Sequence, residues 1–214
     1  MERNNISEDD LNILREQIRP YLTEKRYAHT LSVEREAAYL ASVYLPESEI
    51  PLRAAALLHD IAKKLCYEKQ LKYIYDFDII KKSEETLPSP SVMHSAAAPA
   101  VIMSEFPMFA RQDILSAVRY HTTGRAGMTV FDAIIYISDY IEPERRYEDS
   151  IKLRTRLHNG LSGAVSQSEK LALLEAAVLT SLRNTIAHIN GMGYRLDDET
   201  RLAEEYFSQG GHLC

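Results

Sequence analysis

The sequence predicts an all-α fold, and three observations predict it. Glycine and proline are scarce among the 214 residues, at eight each. Leu, Ala, Glu, Lys and Arg, the good helix formers, are plentiful. Apolar residues recur at helical spacing, and the two-residue alternation of a half-buried strand is absent.

Each element follows from local signals. Ser7, followed by Glu8, Asp9 and Asp10, is a helix start, with Leu11, Leu14 and Ile18 as its apolar stripe. Pro20 ends that helix and leads into a second, from about Tyr21 to Tyr44, which carries His29. Pro46 and Pro51 bracket a loop. A helix from about Leu52 to Leu65 follows, with His59 and Asp60 side by side among core-type residues. The next helix reads Tyr67 to Phe77, and the polar stretch from Lys81 to Pro90 reads as a short helix or turn leading into a loop. Ser91 or Ser95 is positioned to cap a helix that ends near Phe106, and Pro99 either delays its start or kinks it. Gln112 to Tyr120 is a short helix ending in His121. Gly124 and Gly127 break the chain before a helix from Thr129 to Ile141, stopped by Pro143. Glu144 to Leu157 reads as a charged helix and its approach, and Asn159 to Gly163 as a turn. A long helix runs from near Ser168 to Ile189, and a short one begins at Asp197. No stretch is long enough to act as an inter-domain linker. The chain is therefore expected to form one domain over residues 1–214.

Composition bounds the function. The formal charge is −6, which argues against a nucleic-acid coat. The start, MERNNISEDD, has no apolar signal-peptide core. No apolar run approaches the roughly 18 residues of a membrane span. Cys66 and Cys214, without CxxC spacing, read as reduced thiols, and Cys66 as a packing residue. A cytoplasmic protein without nucleic-acid or membrane partners is expected. The apolar face of the first helix reads either as core or as a homodimer contact.

Chemistry concentrates in the histidines. An imidazole beside a carboxylate inside an apolar segment is costly unless something satisfies both. A buried hydrogen-bonded pair would do so, and so would a metal ion. His29, His59, His94 and His121 lie in four different segments, accompanied by Asp60 and Asp139. Such a dispersed set suits ligands converging from facing helices. Imidazole and carboxylate ligands suit iron, manganese, cobalt or zinc alike. Six candidates exceed the roughly four ligands of one metal, which raises two metals bridged by Asp60. No P-loop, dinucleotide fingerprint or nucleophile elbow appears.

The order His29, then His59–Asp60, then Asp139 resembles the HD phosphohydrolase superfamily. RYAHTLSVE, LLHDIAKKL, YHTTGRAGM and ISDYIEPERR together resemble its YqeK-type branch, the symmetrical bis(5′-nucleosyl)-tetraphosphate hydrolases. Ala126 stands where that branch often carries proline. The resemblance implies an HD-type helical bundle with a motif core over 20–146 and C-terminal helices over 147–214 packing on it. It implies a hydrolase that splits diadenosine tetraphosphate into two ADP by attack of a metal-activated hydroxide. Two metals are implied, usually iron: His29, His59, Asp60 and Asp139 for one, and His94 and His121 with the shared Asp60 for the other. Asp60 and Lys63 are then the catalytic pair. A substrate with about four negative charges needs cations along its path. Lys63, Arg26, Arg125 and Arg146 are placed to supply them, and Thr122, Thr123 and Gly124 to offer hydroxyl or backbone donors. Arg183 and His188 on the long helix are candidates to close over the nucleotide, and His158 and His212 read as surface residues. The rival readings are another HD-type phosphohydrolase, acting on a deoxynucleotide, a nucleoside phosphate or a cyclic dinucleotide, and a non-catalytic metal or nucleotide sensor.

Overall fold

The computed structural model describes residues 6–80 and 87–214, and among these every regular element is helical. In chain order the α-helices are α1 (Glu8–Ile18), α2 (Glu24–Tyr44), α3 (Glu49–Leu58), α4 (Tyr67–Asp76), α5 (Met93–Glu105), α6 (Gln112–Tyr120), α7 (Val130–Ile141), α8 (Glu148–Gly163), α9 (Gln167–Gly191) and α10 (Asp198–Ser208). Helices α3 and α7 pack on each other and each also packs on α2 and α6, with α5 against α6 and α4 against α5. The last three helices form a layer in which α9 contacts α7, α8 and α10.

Local chemistry explains the starts. Ser7 caps α1 and Thr129 caps α7, each in a reciprocal capping box with the aspartate three residues on. Asp197, read from the sequence as a helix start, caps α10, and α9 is capped by Ser166. The apolar stripe of α1, Leu11, Leu14 and Ile18, is wholly buried and packs on α3, so that face is core. Beside it, the buried carboxylate of Glu34 on α2 takes Arg15 of α1 and Arg53 of α3, and Arg53 also holds Glu8. One carboxylate thereby ties three helices together.

Several boundaries differ from expectation, each for a physical reason. The second helix starts at Glu24, capped by Thr23, because Pro20 sits in a short 3-10 turn over Arg19–Tyr21. Helix α5 is preceded by Val92 rather than capped by Ser91 or Ser95, and the Ser95 hydroxyl instead donates to the Val92 carbonyl. Pro99 lies inside α5, among buried residues. The turn expected at Asn159 to Gly163 is the last part of α8. Leu157 and Leu161 bury there, and a Cβ on Gly160 would come within 2.8 Å of the Leu173 side chain, so glycine permits the close approach of α9. Cys66 is exposed rather than packed. Of the turn expected over 81–90, residues 81–86 lie outside the described residues. No helix is long and apolar enough to cross a membrane among those described.

The correction that matters most is at the centre. Helix α3 ends at Leu58, so His59 and Asp60 stand in successive turns rather than mid-helix. Backbone bonds from Ile61 to Leu58, Lys63 to Asp60 and Leu65 to Ala62 all span three residues. The chain tightens there and presents both side chains inward, and both are buried.

Candidate metal centre

Six side chains converge on the space between α2, α3, α5, α6 and α7. His29 comes from α2, His59 and Asp60 from the turn after α3, His94 from the start of α5, His121 from the end of α6, and Asp139 from α7. Asp60 lies in the middle. Its Oδ1 is 3.1 Å from His94 Nε2 and 3.6 Å from His121 Nε2, while its Oδ2 is 3.4 Å from His59 Nε2. Asp139 Oδ1 is 3.0 Å from His29 Nε2 and 3.8 Å from His59 Nε2. The two oxygens of Asp60 thus face two different sets of imidazoles.

The tautomers follow from the other ring nitrogens. His59 Nδ1 lies 2.6 Å from the Ala56 carbonyl and His121 Nδ1 lies 2.7 Å from the Val118 carbonyl. A carbonyl only accepts, so each Nδ1 carries a proton, and in the neutral ring the Nε2 lone pair faces the centre. The same local device, a histidine at the end of a helix bonded to the carbonyl three residues back, occurs twice. For His29 the orienting group is a carboxylate, Glu142 Oε1, 3.1 Å from Nδ1. Glu142 was not among the candidates read from the sequence, although it lies in the quoted DYIEP segment one turn after Asp139. Arg154 of α8 was also missed. Its guanidinium donates to the carbonyls of Ile141 and Glu142 and so holds the end of the helix that carries Asp139.

The electrostatics favour a cation. Burial works against ionisation of Asp60 and Asp139. The charge of His59 for Asp60 and of Arg145 for Asp139 outweighs it, so both carboxyls sit well below the usual carboxylate range. Burial takes His94 down to about 4, so its ring is neutral. Burial also opposes a charged His29, but Asp139 and Glu142 carry it up to about 9. The nitrogens His29 Nε2 and His59 Nε2 are buried without an aligned hydrogen bond. Two groups, His29–His59–Asp139 and His59–Asp60–His121, each bring ligand atoms within 4.8 Å of one another and can hold a metal ion. Ionised carboxylates, imidazole nitrogens turned to the centre and unsatisfied buried nitrogens fit a divalent cation, which would take the place of the proton that His29 otherwise holds.

The expected cations divide into two kinds. Arg26 lies 2.8 Å from Asp60 Oδ2, and Lys63 Nζ ends 3.1 Å from His94 Nε2, so both border the ligand cluster. Burial of its ammonium lowers the Lys63 pKa, against the opposing pull of Asp60. Arg145 pairs with Asp139 at 2.7 Å. Arg125, by contrast, is held by Asp132 at 2.8 Å and lies over the Tyr120 ring. The Thr123 hydroxyl is bonded to Glu199 and to the Gly124 carbonyl, and the Thr122 hydroxyl is buried without a partner. Gly124 takes a positive φ of 67° in this loop. Arg146 is exposed on the wall of a cavity beside His29. Arg183 is bonded to Glu204 and Ser208. His158, expected at the surface, is half-buried, 2.7 Å from the buried Glu36 and against the Tyr39 ring. His212 is exposed.

Comparison with known proteins places this centre in a class. The model of the HD domain family matches residues 26–144, a span holding all six convergent residues. The chain belongs to the HD-domain family, in the branch of the symmetrical bis(5′-nucleosyl)-tetraphosphatases. It is 34% identical over 155 residues to the protein of that name from Halalkalibacterium halodurans, covering 71% of this chain and 79% of the relative. It is 33% identical over 159 residues to that of Bacillus subtilis, covering 72% and 80%. A solved structure from Clostridium acetobutylicum, described as an HD superfamily hydrolase involved in NAD metabolism, superposes with a TM-score of 0.72. That alignment has 28% identity and covers 92% of this chain and 96% of the other.

Proposed function

We propose that the protein hydrolyses diadenosine tetraphosphate symmetrically to two ADP at a two-metal centre. The observation that carries this reading is the division of ligands around Asp60, whose Oδ1 faces His94 and His121 and whose Oδ2 faces His59. A carboxylate so placed suits a bridge between two cations. His29, His59, Asp60 and Asp139 would hold one ion, and His94 and His121 with Asp60 would hold the other. Iron is the first choice for both, with manganese, cobalt and zinc compatible with the same ligands. The metal ions supply Lewis acidity toward water and toward the phosphate oxygens.

The chain's own residues do the rest. Ala56, Val118 and Glu142 fix three imidazoles in the tautomer that ligates. Lys63 and Arg26, at the edge of the cluster, meet the phosphates as they arrive and offset their charge. Two ADP form only if water attacks the second phosphorus from a nucleoside end. A bond forms from the water oxygen to that phosphorus. The bond to the central bridging oxygen breaks, and its electron pair leaves with the other ADP. Arg146, Thr122, Thr123, Gly124 and Arg125 complete the substrate contacts, the last through a loop that Asp132 and Glu199 hold in place. A cytoplasmic location suits two unpaired cysteines and a nucleotide substrate.

Chromatography of products from metal-loaded protein tests the reaction. The panel is diadenosine tetraphosphate, nucleoside triphosphates, deoxynucleotides, cyclic dinucleotides and NAD. ADP alone from the first, turned over in preference to the others, is the expected result. AMP plus ATP, or preferential turnover of another class, would reject it.

A further inference from the structure

A cavity of about 900 Å³ opens beside His29, between the first turns of α2 and the segment that joins α7 to α8. That volume is ample for a nucleotide, since small-molecule sites run from roughly 300 to 1,000 Å³. Its wall is basic, five cations against the two acids Glu142 and Glu144, on a chain whose formal charge is −6. Two of its cations, Arg26 and Arg145, turn inward onto Asp60 and Asp139. The other three, Lys25, Arg35 and Arg146, are exposed, and none of them makes an ion pair among the described residues. Unpaired cations gathered around a concave site raise the local potential and favour a polyanion.

The wall also holds an aromatic ring without a packing role. Tyr147 is 72% exposed and follows directly on Arg145 and Arg146. A large ring kept in water beside a basic cavity is suited to stack a base. Ala28 and Leu31 of α2 give the cavity an apolar side. Of the two candidates on the long helix α9, Arg183 is already engaged by Glu204 and Ser208, while His188 is exposed.

We propose that this cavity seats one nucleoside diphosphate half of the substrate, with its base on Tyr147 and its phosphates met by Lys25, Arg35 and Arg146. The inference rests on the hydrolase reading, because His29 in the cavity wall makes the cavity continuous with the proposed metal centre. Lys25, Arg35 and Tyr147 thereby become substrate-binding residues.

Calorimetric titration of the metal-loaded full chain tests the proposal, with ADP and inorganic pyrophosphate as probes. Tyr147→Ala is expected to weaken ADP about tenfold or more and to leave pyrophosphate unchanged, as loss of one stacked base does. Tyr147→Phe, which keeps the ring, is expected to bind ADP like the parent. The triple variant Lys25→Ala, Arg35→Ala, Arg146→Ala is expected to weaken both probes at least tenfold. Circular dichroism checks that each variant is folded. ADP binding unchanged in both Tyr147→Ala and the triple variant would overturn the proposal, as would a parent that does not bind ADP. The two readings fail separately. A parent that leaves diadenosine tetraphosphate intact, but whose ADP binding falls in these variants, would reject the reaction and uphold the cavity. Symmetrical hydrolysis with ADP binding unaffected by the variants would reject the cavity alone.

Discussion

Around Asp60 the imidazoles and carboxylates are buried or nearly so, and they face one another across 3.0–3.8 Å. Around Lys25, Arg35 and Arg146, on the other side of His29, cations stand in solvent without an ion pair among the described residues, although Glu144 shares their wall. The two regions share His29 and Arg26 but are built for opposite charges. In the first, burial is tolerated because each ring and carboxylate is held by another group, and the gap they leave fits a cation. In the second, nothing is desolvated in advance, so an anion pays little to enter and gains several charge-assisted contacts. On the proposed reading, the preorganised region serves chemistry and the open charge serves recognition.

That contrast is sharpened by substitution, beginning with the largest effect. His59→Ala removes the imidazole that faces both Asp60 and Asp139. It should reduce turnover by about a thousandfold or more, measured as initial rate at saturating metal, because charge neutralisation and water activation fail together. Next comes Glu142→Gln, which leaves the ligands in place but weakens the bond that orients His29. Metal affinity, read by chelator competition, should fall about 10- to 100-fold. Lys63→Ala should raise KM for the tetraphosphate by roughly tenfold, in line with loss of a charged phosphate contact, and leave metal content unchanged. An equal loss of metal in that variant would show that Lys63 belongs to the ligand cluster rather than to the substrate path. The smallest effect on function is expected at Glu34, whose carboxylate joins α1, α2 and α3 away from the centre. Glu34→Ala takes from Arg15 and Arg53 their one buried acid, leaving them only Glu8 and other exposed partners, and should cost about 3 kcal/mol. That is roughly a 10 °C drop in Tm by thermal melting for a chain of this size, with KM and metal affinity unchanged.

Much of the fold was legible because its signals are local. Ser7 reads as a cap and serves as one, and Thr129 and Asp197, read as helix starts, cap α7 and α10, since one side chain and the next turn of backbone decide the matter. The end of α3 was not legible. Ala62, Lys63 and Leu65 are good helix formers, and only the tightened turns that turn His59 and Asp60 inward show why the helix stops. Gly160 and Gly163 misled in the other direction, because burial of Leu157 and Leu161 against α9 outweighs the low helix propensity of glycine.

The six convergent residues were picked out one by one from residue type, but their assembly into a single cluster came from resemblance to a family. Spacing alone says nothing of how α2, α5, α6 and α7 approach. Glu142 had a weak signal, an acid one turn after Asp139. Arg154 had none, since its bond to the α7 carbonyls depends on how α8 folds back. The cavity was invisible for the same reason, because Lys25, Arg35 and Tyr147 meet only in three dimensions.

The measurement that tests the central claim most directly is the metal content of protein purified without chelator, taken with the activity of the same sample. Two metal ions per chain, lost together with hydrolysis of diadenosine tetraphosphate in Asp60→Ala, is the result expected of a carboxylate that bridges two sites. A folded parent protein that is fully active without metal, or an Asp60→Ala variant that keeps both ions and its activity, would contradict it.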